Sequence, residues 1–221
     1  MKKKNKAIYL LFLMPFVYFA TACFVVWLVK TSGIYPSGSD TMYHVYRGDY
    51  VYNAIKLGNW YPLYDPAWYN GVEILRYWSP FPAYVMAFCQ YLAGGSQFGA
   101  YLFYIGGVCF LGACVWPFIG RGFNRPYLGA FIGLLWFFMP NNLCAIFIEG
   151  NLARSLSMIF LPVFIYSVYK YLYNHKLRYI PLMVFTFLLM ELCHLGYAGM
   201  VAIAVIIYGI CLLYTSPSPR D

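Results

Sequence analysis

Charge is scarce in this sequence, and acidic residues are the scarcest of all. Only 7 of the 221 residues are Asp or Glu, and all charged residues together make up 10% of the chain, whereas a soluble domain carries about 25%. Hydrophobic residues account for 62% and aromatic residues for 22%. This composition excludes an ordinary soluble domain. It predicts an all-α integral membrane protein built as a polytopic helical bundle.

The sequence also lacks the usual signatures of soluble enzymes and of metal sites. It has no Gly-rich phosphate loop, no Ser-His-Asp order and no His-rich metal motif, and none of its seven cysteines forms a Cys-x-x-Cys pair. The cysteines all lie in apolar runs, so we expect buried hydrophobes, with no disulfide framework and no zinc site. The net charge of +8 is held in short clusters between apolar runs, as in cytoplasmic loops, which argues against nucleic acid as a partner.

Apolar runs divide the chain into transmembrane segments. The basic stretch Met1-Lys-Lys-Lys-Asn-Lys6 precedes the first run and places the N-terminus inside. That run is long for a cleaved signal peptide, which favours a membrane-spanning signal anchor. About six spans are predicted, at 7–29, 98–119, 127–147, 155–173, 179–194 and 197–211.

A shorter run at 82–93 decides the topology. Its twelve or so residues would rise about 18 Å as a helix, short for a hydrocarbon core of about 30 Å. If it crossed, the basic loops 121–125 and 174–178 would both lie outside. The positive-inside rule favours the opposite arrangement. We therefore expect a juxtamembrane helix at 82–93 within a large external first loop, 30–97.

The external loop opens with an acid, a histidine and an arginine at helical spacing. Asp40, His44 and Arg47 are related as i, i+4 and i+7, which places them on one face of a helix running to about Leu57 and stopped by Gly58. Asp40 can serve as the N-cap, as a general base, or as a ligand of a divalent ion such as Mg²⁺ or Mn²⁺. His44 and Arg47 are either interfacial residues or phosphate contacts.

A second polar cluster is expected on the same side of the membrane. Glu149, Asn151 and Arg154 lie between two apolar runs, where ionisable residues are often functional, although a surface charge pair is the plainer alternative. Glu191 and His194 come at the external end of the fifth run. Glu191 could contact substrate, pair with Arg154 or make a packing hydrogen bond, and the sequence does not separate these.

The order of these features resembles the GT-C class of membrane glycosyltransferases. A basic N-terminus and one span lead to an external loop that opens with an acid, followed by a Gly-x-Trp and a Pro-aromatic helix. The short motifs also look like those of bacterial membrane proteins named 6-pyruvoyl-tetrahydropterin synthase-related. The GT-C resemblance rests on Asp40, Gly58-Asn-Trp60 and Ser79-Pro-Phe-Pro-Ala-Tyr84. The second resemblance rests on Gly38-Ser-Asp40, His44, Arg47, Asn70-Gly71, Glu149-Gly-Asn-Leu-Ala-Arg154 and Cys193-His194-Leu195.

The GT-C resemblance implies a sugar donor linked to polyprenyl phosphate and a glycan, lipid or protein acceptor, with transfer at the outer face of the bacterial cytoplasmic membrane. It implies that Asp40 is the catalytic base, although these enzymes often have an acidic pair here and Thr41 follows Asp40 in this chain. The alternatives are a non-catalytic handler of lipid-linked glycans (a flippase or assembly partner) and a secondary transporter. The expected substrate-binding residues are His44, Arg47, Glu149, Asn151, Arg154 and His194.

The last ten residues differ abruptly in composition from the rest. Residues 212–221 look like the translation of a sequencing adaptor and are expected to be foreign to the fold. On that interpretation residues 1–211 are the N-terminal part of one polytopic membrane domain.

Overall fold

The computed structural model describes residues 2–36 and 38–215. Within these residues the backbone forms α-helices, short 3₁₀ and π segments and connecting loops, with a single isolated bridge between Asp65 and Val72. The all-helical expectation is therefore confirmed. The α-helices are α1 (Lys2–Ser32), α2 (Thr41–Lys56), α3 (Phe81–Leu92), α4 (Gln97–Gly122), α5 (Pro126–Leu135), α6 (Pro140–Leu143), α7 (Leu152–Leu172), α8 (Ile180–Cys193) and α9 (Leu195–Thr215).

Five helical segments of the described chain are long and apolar enough to span a membrane, compared with about six expected from the sequence. The difference is α8, which occupies most of the predicted span 179–194 but has only 14 residues. Its rise is about 21 Å, whereas a span needs about 20 residues. The five segments are Phe12–Ser32, Gln97–Gly122, Pro126–Ile148, Leu152–Leu172 and Leu195–Leu212.

The segment Pro126–Ile148 is broken in the middle. Pro140 lacks a backbone N–H, so it cannot donate the helical hydrogen bond to the carbonyl oxygen of Trp136, and such a loss kinks or breaks a helix. The chain therefore passes through a 3₁₀ turn at Trp136–Phe138, the short α6, and a π-helical turn at Cys144–Ile148. The buried Asn142 side chain donates to the carbonyl oxygen of Trp136 at 2.8 Å, which satisfies an acceptor exposed by the break.

The two basic loops lie at the same end of the bundle. Lys170, near the end of α7, donates to the carbonyl oxygen of Gly122 at 2.9 Å and lies 4.8 Å from the ring centroid of Phe123. Arg178 follows in the next loop and lies against the Tyr179 ring. We call this the basic end and the opposite end, where α7 begins, the cavity end.

The contacts of the first loop put Asp40 and Glu149 at the same end of the bundle, and α3, with 12 residues, is too short to be a candidate span. The Asp40 N–H donates to the carbonyl oxygen of Glu149 at 3.1 Å, and the Ser79 hydroxyl donates to the carbonyl oxygen of Glu191 at 2.8 Å. α4 and the segment Pro126–Ile148 form one outward and return pair between this loop and Glu149. A further crossing by α3 would put the two sides of the Asp40–Glu149 hydrogen bond at opposite ends.

The first loop folds into a small platform of its own. α2 packs on α3, with Gly48 so close to Met86 that a side chain at residue 48 would overlap it. The buried Gln90 side chain donates to Asp49 at 2.6 Å and to the carbonyl oxygen of Gly95 at 3.1 Å. An apolar cluster beneath the platform contains Val51, Ile74, Leu75, Ala83 and Ala87. This packing fixes the face of α2 that carries the polar triad.

Candidate functional site

The cavity end contains a pocket of about 860 Å³. This volume lies in the range of about 300–1,000 Å³ typical of small-molecule sites, which are lined by aromatic side chains with a few polar groups. α2, the loop after it, the start of α7 and the α8–α9 junction each contribute a wall. The aromatic side chains that line it are Tyr43, Trp68, Tyr69, Tyr77 and Trp78.

Five of the seven residues proposed from the sequence line this pocket. They come from three separate regions, because α2 supplies the first three while the α7 start and the α8–α9 junction supply one each. Glu149 and Arg154 lie close by in the turn before α7, but within the described chain they are not among the lining residues. The five that line the pocket are Asp40, His44, Arg47, Asn151 and His194.

Asp40 occupies the N-cap position of α2, but its side chain makes no capping hydrogen bond. The expected capping role is therefore wrong for the side chain. Its Oδ1 instead accepts a long hydrogen bond of 3.2 Å from the Ser39 hydroxyl, while its backbone N–H donates to the carbonyl oxygen of Glu149. Within the described residues no basic side chain pairs with Asp40. The carboxylate is thus free to accept a proton from a molecule in the pocket.

Arg47 is a buried cation without an acidic partner in the described chain. Only 1% of the residue is exposed, its Nε has no hydrogen-bond partner, and Nη2 makes only a 3.4 Å contact with the carbonyl oxygen of Trp78. Its Cζ lies 5.5 Å from the Tyr43 ring centroid, which offers cation–π stabilisation. Burial lowers the pKa of the guanidinium. A buried charge of this kind is costly unless something else compensates it.

His44 lies one turn before Arg47 and is 7% exposed. Burial is the main cause that lowers the pKa of its imidazole to about 3, and the neighbouring Arg47 and His194 lower it further. The ring is therefore neutral at physiological pH. A neutral His44 adds hydrogen-bonding capacity beside Arg47 without adding charge.

Asn151 and His194 meet across the α7 start and the α8–α9 junction. The Nδ2 atom of Asn151 lies 3.4 Å from Nε2 of His194. Each residue also serves a helix terminus, since Asn151 Oδ1 accepts from the Arg154 N–H at 2.9 Å and His194 Nδ1 accepts from the Tyr197 N–H at 3.0 Å. Burial is the largest effect on His194 and lowers its pKa. These local bonds hold both side chains at the pocket wall.

Glu149 and Arg154 pair with each other. Arg154 Nη1 lies 2.7 Å from Glu149 Oε2, and Nη2 donates to Asn141 Oδ1 at 3.1 Å. This pairing supports the surface-pair interpretation of the turn, and it replaces the Arg154–Glu191 pair that the sequence left open. The backbone carbonyl of Glu191 accepts the hydrogen bond from Ser79, and the roles predicted for its carboxylate stay predictions.

The turn before α7 is joined to the start of α2 by two glycines. A Cβ on Gly38 would lie 2.5 Å from the Gly150 Cα, and a Cβ on Gly150 would overlap the Thr41 hydroxyl. Gly150 also has a φ of +68°, a left-handed conformation that glycine adopts at little cost. This contact brings Asp40 and Asn151 to the same pocket.

The other acids of the first loop have structural partners. Asp49 binds Gln90, Asp65 accepts from the Tyr46 hydroxyl and the Ala67 N–H, and Glu73 pairs with the exposed Arg76. In residues 2–36 and 38–215 no group of three or more His, Cys, Asp or Glu side chains is arranged to hold a metal ion. Asp40 is consequently the acid that best fits a chemical role.

The sequence did not identify the aromatic lining or the role of the glycines. Trp and Tyr are dense between residues 60 and 81, but such density is also typical of an aromatic belt at the membrane interface. In the structure Trp68 lies 4.4 Å from Tyr46 and 5.3 Å from Tyr43, centroid to centroid, and forms one wall of the pocket. The helical spacing of Tyr43, Tyr46 and Tyr50 on α2, at i, i+3 and i+7, was the available signal.

Fold and pocket together define a multi-pass helical membrane protein with an aromatic, polar-lined cavity at one end. Residues 75–218 match a family model described as 6-pyruvoyl-tetrahydropterin synthase related domain, membrane protein. The match covers more than half of the chain, and the chain belongs to this family. No curated protein and no solved structure matches it.

Proposed function

We propose that this protein transfers a sugar from a polyprenyl-phosphate donor to an acceptor hydroxyl, as GT-C glycosyltransferases do. The observation that carries the proposal is that one aromatic pocket contains both the Asp40 carboxylate and the buried Arg47 guanidinium, neither of which has an ion-pair partner in the described residues. Such a transfer needs a base that takes the proton of the acceptor hydroxyl and a cation that stabilises the departing phosphate.

In the proposed reaction the acceptor oxygen attacks the anomeric carbon while its proton passes to Asp40. The new carbon–oxygen bond forms as the bond between the anomeric carbon and the phosphate oxygen breaks. The lipid phosphate leaves with increased negative charge, and Arg47 stabilises that charge. Attack opposite the leaving group inverts the anomeric configuration. No step requires a metal ion, although Asp40 could also contact a Mg²⁺ or Mn²⁺ ion carried by the donor phosphate.

Arg47 suits the phosphate role better than Arg154. Arg154 already has a carboxylate partner 2.7 Å away, so a phosphate would have to compete with Glu149. Both arginines have an Nε without a hydrogen-bond partner, but Arg47 has no competing carboxylate in the described chain. A charge-assisted hydrogen bond from a desolvated guanidinium to a phosphate is among the stronger polar contacts. We assign Arg154 and Glu149 to holding the turn before α7.

We place the cavity end outside a bacterial cytoplasmic membrane. The basic end collects Arg121, Arg125, Lys170, Lys176 and Arg178, and short loops rich in Lys and Arg remain cytoplasmic. A polyprenyl-phosphate sugar displayed on the outer leaflet would then reach the pocket beside the platform. The aromatic wall offers flat apolar faces for the sugar ring.

Photo-crosslinking combined with a transfer assay tests the proposal. The purified protein would be labelled with a photoreactive polyprenyl-phosphate probe and compared with Asp40→Asn, Arg47→Gln and the matched control Arg154→Gln. We expect Asp40→Asn to retain labelling but to lose transfer by about 10²-fold or more, and Arg47→Gln to lose labelling. Full transfer by Asp40→Asn would exclude it as the base.

A non-catalytic handler of lipid-linked glycans is the second candidate, because the same pocket could hold a lipid-linked sugar without reacting. It predicts Arg47-dependent labelling and no transfer by the wild type with any acceptor. A secondary transporter is the third candidate, and the helix break at Pro140 is the feature that favours it, since transporters use broken helices. Labelling that depends on Asn141 and Asn142 beside this break, and not on Arg47, would support the transporter.

A further inference from the structure

We propose that Asn151 and His194 together bind the carbonyl oxygen of an acetamido group, so that the transferred sugar is an N-acetylated amino sugar. The inference rests on the proposed function, because it names the sugar class that the same pocket would take. It is carried by the orientation of two side chains and by the residues around them.

The amide orientation of Asn151 is fixed by its helix. Its Oδ1 accepts from the Arg154 N–H at 2.9 Å, a capping bond that only an acceptor atom can make. The opposite atom, Nδ2, must therefore be the one that faces His194. Nδ2 can only donate.

The protonation of His194 follows in the same way. Its Nδ1 accepts from the Tyr197 N–H at 3.0 Å, so in the neutral imidazole the proton is on Nε2. Burial favours this neutral form. Nε2 is thus a donor, and it lies 3.4 Å from the donor Nδ2 of Asn151. Two donors at this distance cannot satisfy each other.

One acceptor oxygen can satisfy both. N–H···O bonds are about 2.9 Å long, and a single atom can lie at that distance from two nitrogens 3.4 Å apart. A carbonyl oxygen has two lone pairs and no hydrogen of its own to place. Both donors are neutral, whereas the pocket's charged donor is Arg47 on α2. A neutral carbonyl therefore suits the Asn151–His194 pair, and a phosphate suits Arg47.

The residues next to the two donors suit the rest of an acetamido group. Ala153, Cys193, Leu195 and Gly196 line the same pocket and carry small or apolar side chains. An acetamido group presents a methyl group beside its carbonyl oxygen, so it needs donors and apolar surface side by side. A plain sugar hydroxyl would use the donors but not the apolar surface.

The test compares sugar 1-phosphates that differ only at carbon 2. Binding to the purified protein would be measured by calorimetry for N-acetylglucosamine 1-phosphate against glucose 1-phosphate, and for the corresponding galacto pair. We expect the wild type to bind one acetamido member at least tenfold more tightly than its hydroxyl partner, since a site built to hydrogen-bond a group rejects the analogue that lacks it.

Two variants remove one donor each and keep the helix caps. Asn151→Asp keeps an oxygen for the Arg154 N–H but replaces Nδ2, and His194→Asn keeps an acceptor for the Tyr197 N–H but removes Nε2. Both should bring the acetamido preference close to one, with thermal stability near that of the wild type. A preference that survives both substitutions would overturn the inference.

The remaining outcomes separate the two proposals. If the wild type binds all four compounds equally, and Arg47→Gln weakens all of them, the acetamido inference is wrong and the donor site stands. If the wild type binds none of them, the donor premise and the inference both fail.

Discussion

Gly38 and Gly150 approach so closely that neither can carry a side chain, since a Cβ on Gly38 would lie 2.5 Å from the Gly150 Cα. These residues belong to the first loop and to the turn before α7, which are far apart in sequence. The contact is reinforced by the hydrogen bond from Asp40 to Glu149. The base proposed for catalysis is thereby positioned by the bundle and not by the loop alone.

Replacing Gly150 by alanine should undock the first loop. The substitution combines a left-handed φ of +68° with overlap against Thr41, and the conformation alone costs about 1–2 kcal/mol. Gly33→Ala is the matched control, because Gly33 has a φ of +69° but open space around it. Thermal unfolding should show the larger loss for Gly150→Ala, and trypsin should cleave its first loop faster. Equal losses in the two variants would mean that the glycine contact contributes nothing.

Replacing Arg47 by methionine should remove anion binding without destabilising the fold. A buried charge with no acidic partner costs desolvation energy, and apolar replacements of such groups are often neutral or stabilising. We expect the melting temperature to be unchanged or higher and sugar-phosphate affinity to fall at least tenfold. A fall of more than about 5 °C would show that Arg47 is structural, because a loss of 1 kcal/mol shifts the melting temperature of a chain this long by about 2–4 °C.

Arg154→Gln should show the reverse pattern. It breaks a partly exposed ion pair at 2.7 Å and leaves Glu149 without its partner, which should cost about 1 kcal/mol. Because Arg154 does not line the pocket, sugar-phosphate affinity should remain within threefold of the wild type. The double variant Glu149→Gln/Arg154→Gln should recover part of the stability if the pair is the cause. Loss of sugar-phosphate binding in Arg154→Gln would instead assign Arg154 to the donor phosphate site.

Stability should fall as the pH is lowered, and His44 should account for part of the slope. Its pKa is about 3 in the folded protein and about 6.5 when unfolded. Between these values the unfolded chain binds a proton that the folded chain does not. The free energy of unfolding therefore decreases as the pH falls through this window, by about 1.4 kcal/mol per unit.

The control for this pH dependence is His44→Gln, whose melting temperature should depend less steeply on pH between about 6.5 and 4 than that of the wild type. The lowered pKa of His194 acts in the same direction and remains in the variant. Parallel curves for the two proteins would show that His44 is not held neutral.

The orientation can be read with a membrane-impermeant thiol reagent. Asn59, beyond α2, and His175, in the basic loop, are both exposed in the structure. Asn59→Cys should be labelled in intact cells, and His175→Cys only after permeabilisation, with the wild-type chain as the blank. Labelling of His175→Cys in intact cells would invert the proposed orientation.

Local patterns in the sequence were enough to predict most of the fold. The helix expected after Asp40 is α2, and Gly58 follows its last residues with a φ of +83°. The short run at 82–93 is α3, whose 12 residues are too few for a candidate span. Both predictions depended on periodicity and on basic loops, which are properties of nearby residues and of the membrane.

The sequence could not give the details that depend on distant partners. The capping role predicted for the Asp40 side chain is wrong, because Oδ1 accepts from the Ser39 hydroxyl and the backbone N–H donates to the distant Glu149 carbonyl. The glycine contact and the facing donors of Asn151 and His194 join segments far apart in sequence, and no local pattern encodes them. The proposed roles of the pocket residues stay predictions, as does the interpretation of residues 212–221. Within residues 212–221, Leu212–Thr215 continue α9, and 216–221 lie outside the described residues.

The shortness of α8 has a consequence for the lipid around it. α8 reaches the start of α7 at its C-terminal end, where His194 meets Asn151. At its other end Tyr179 lies 5.8 Å from Tyr166, whereas α7 continues to Leu172. With 14 residues α8 is about 9 Å shorter than a typical hydrocarbon core. Bilayers adapt to such a mismatch by thinning, at a fraction of a kcal/mol per Å. The membrane beside the start of α8, at the basic end, should therefore be thinned, and short-chain lipids should ease the strain that this imposes.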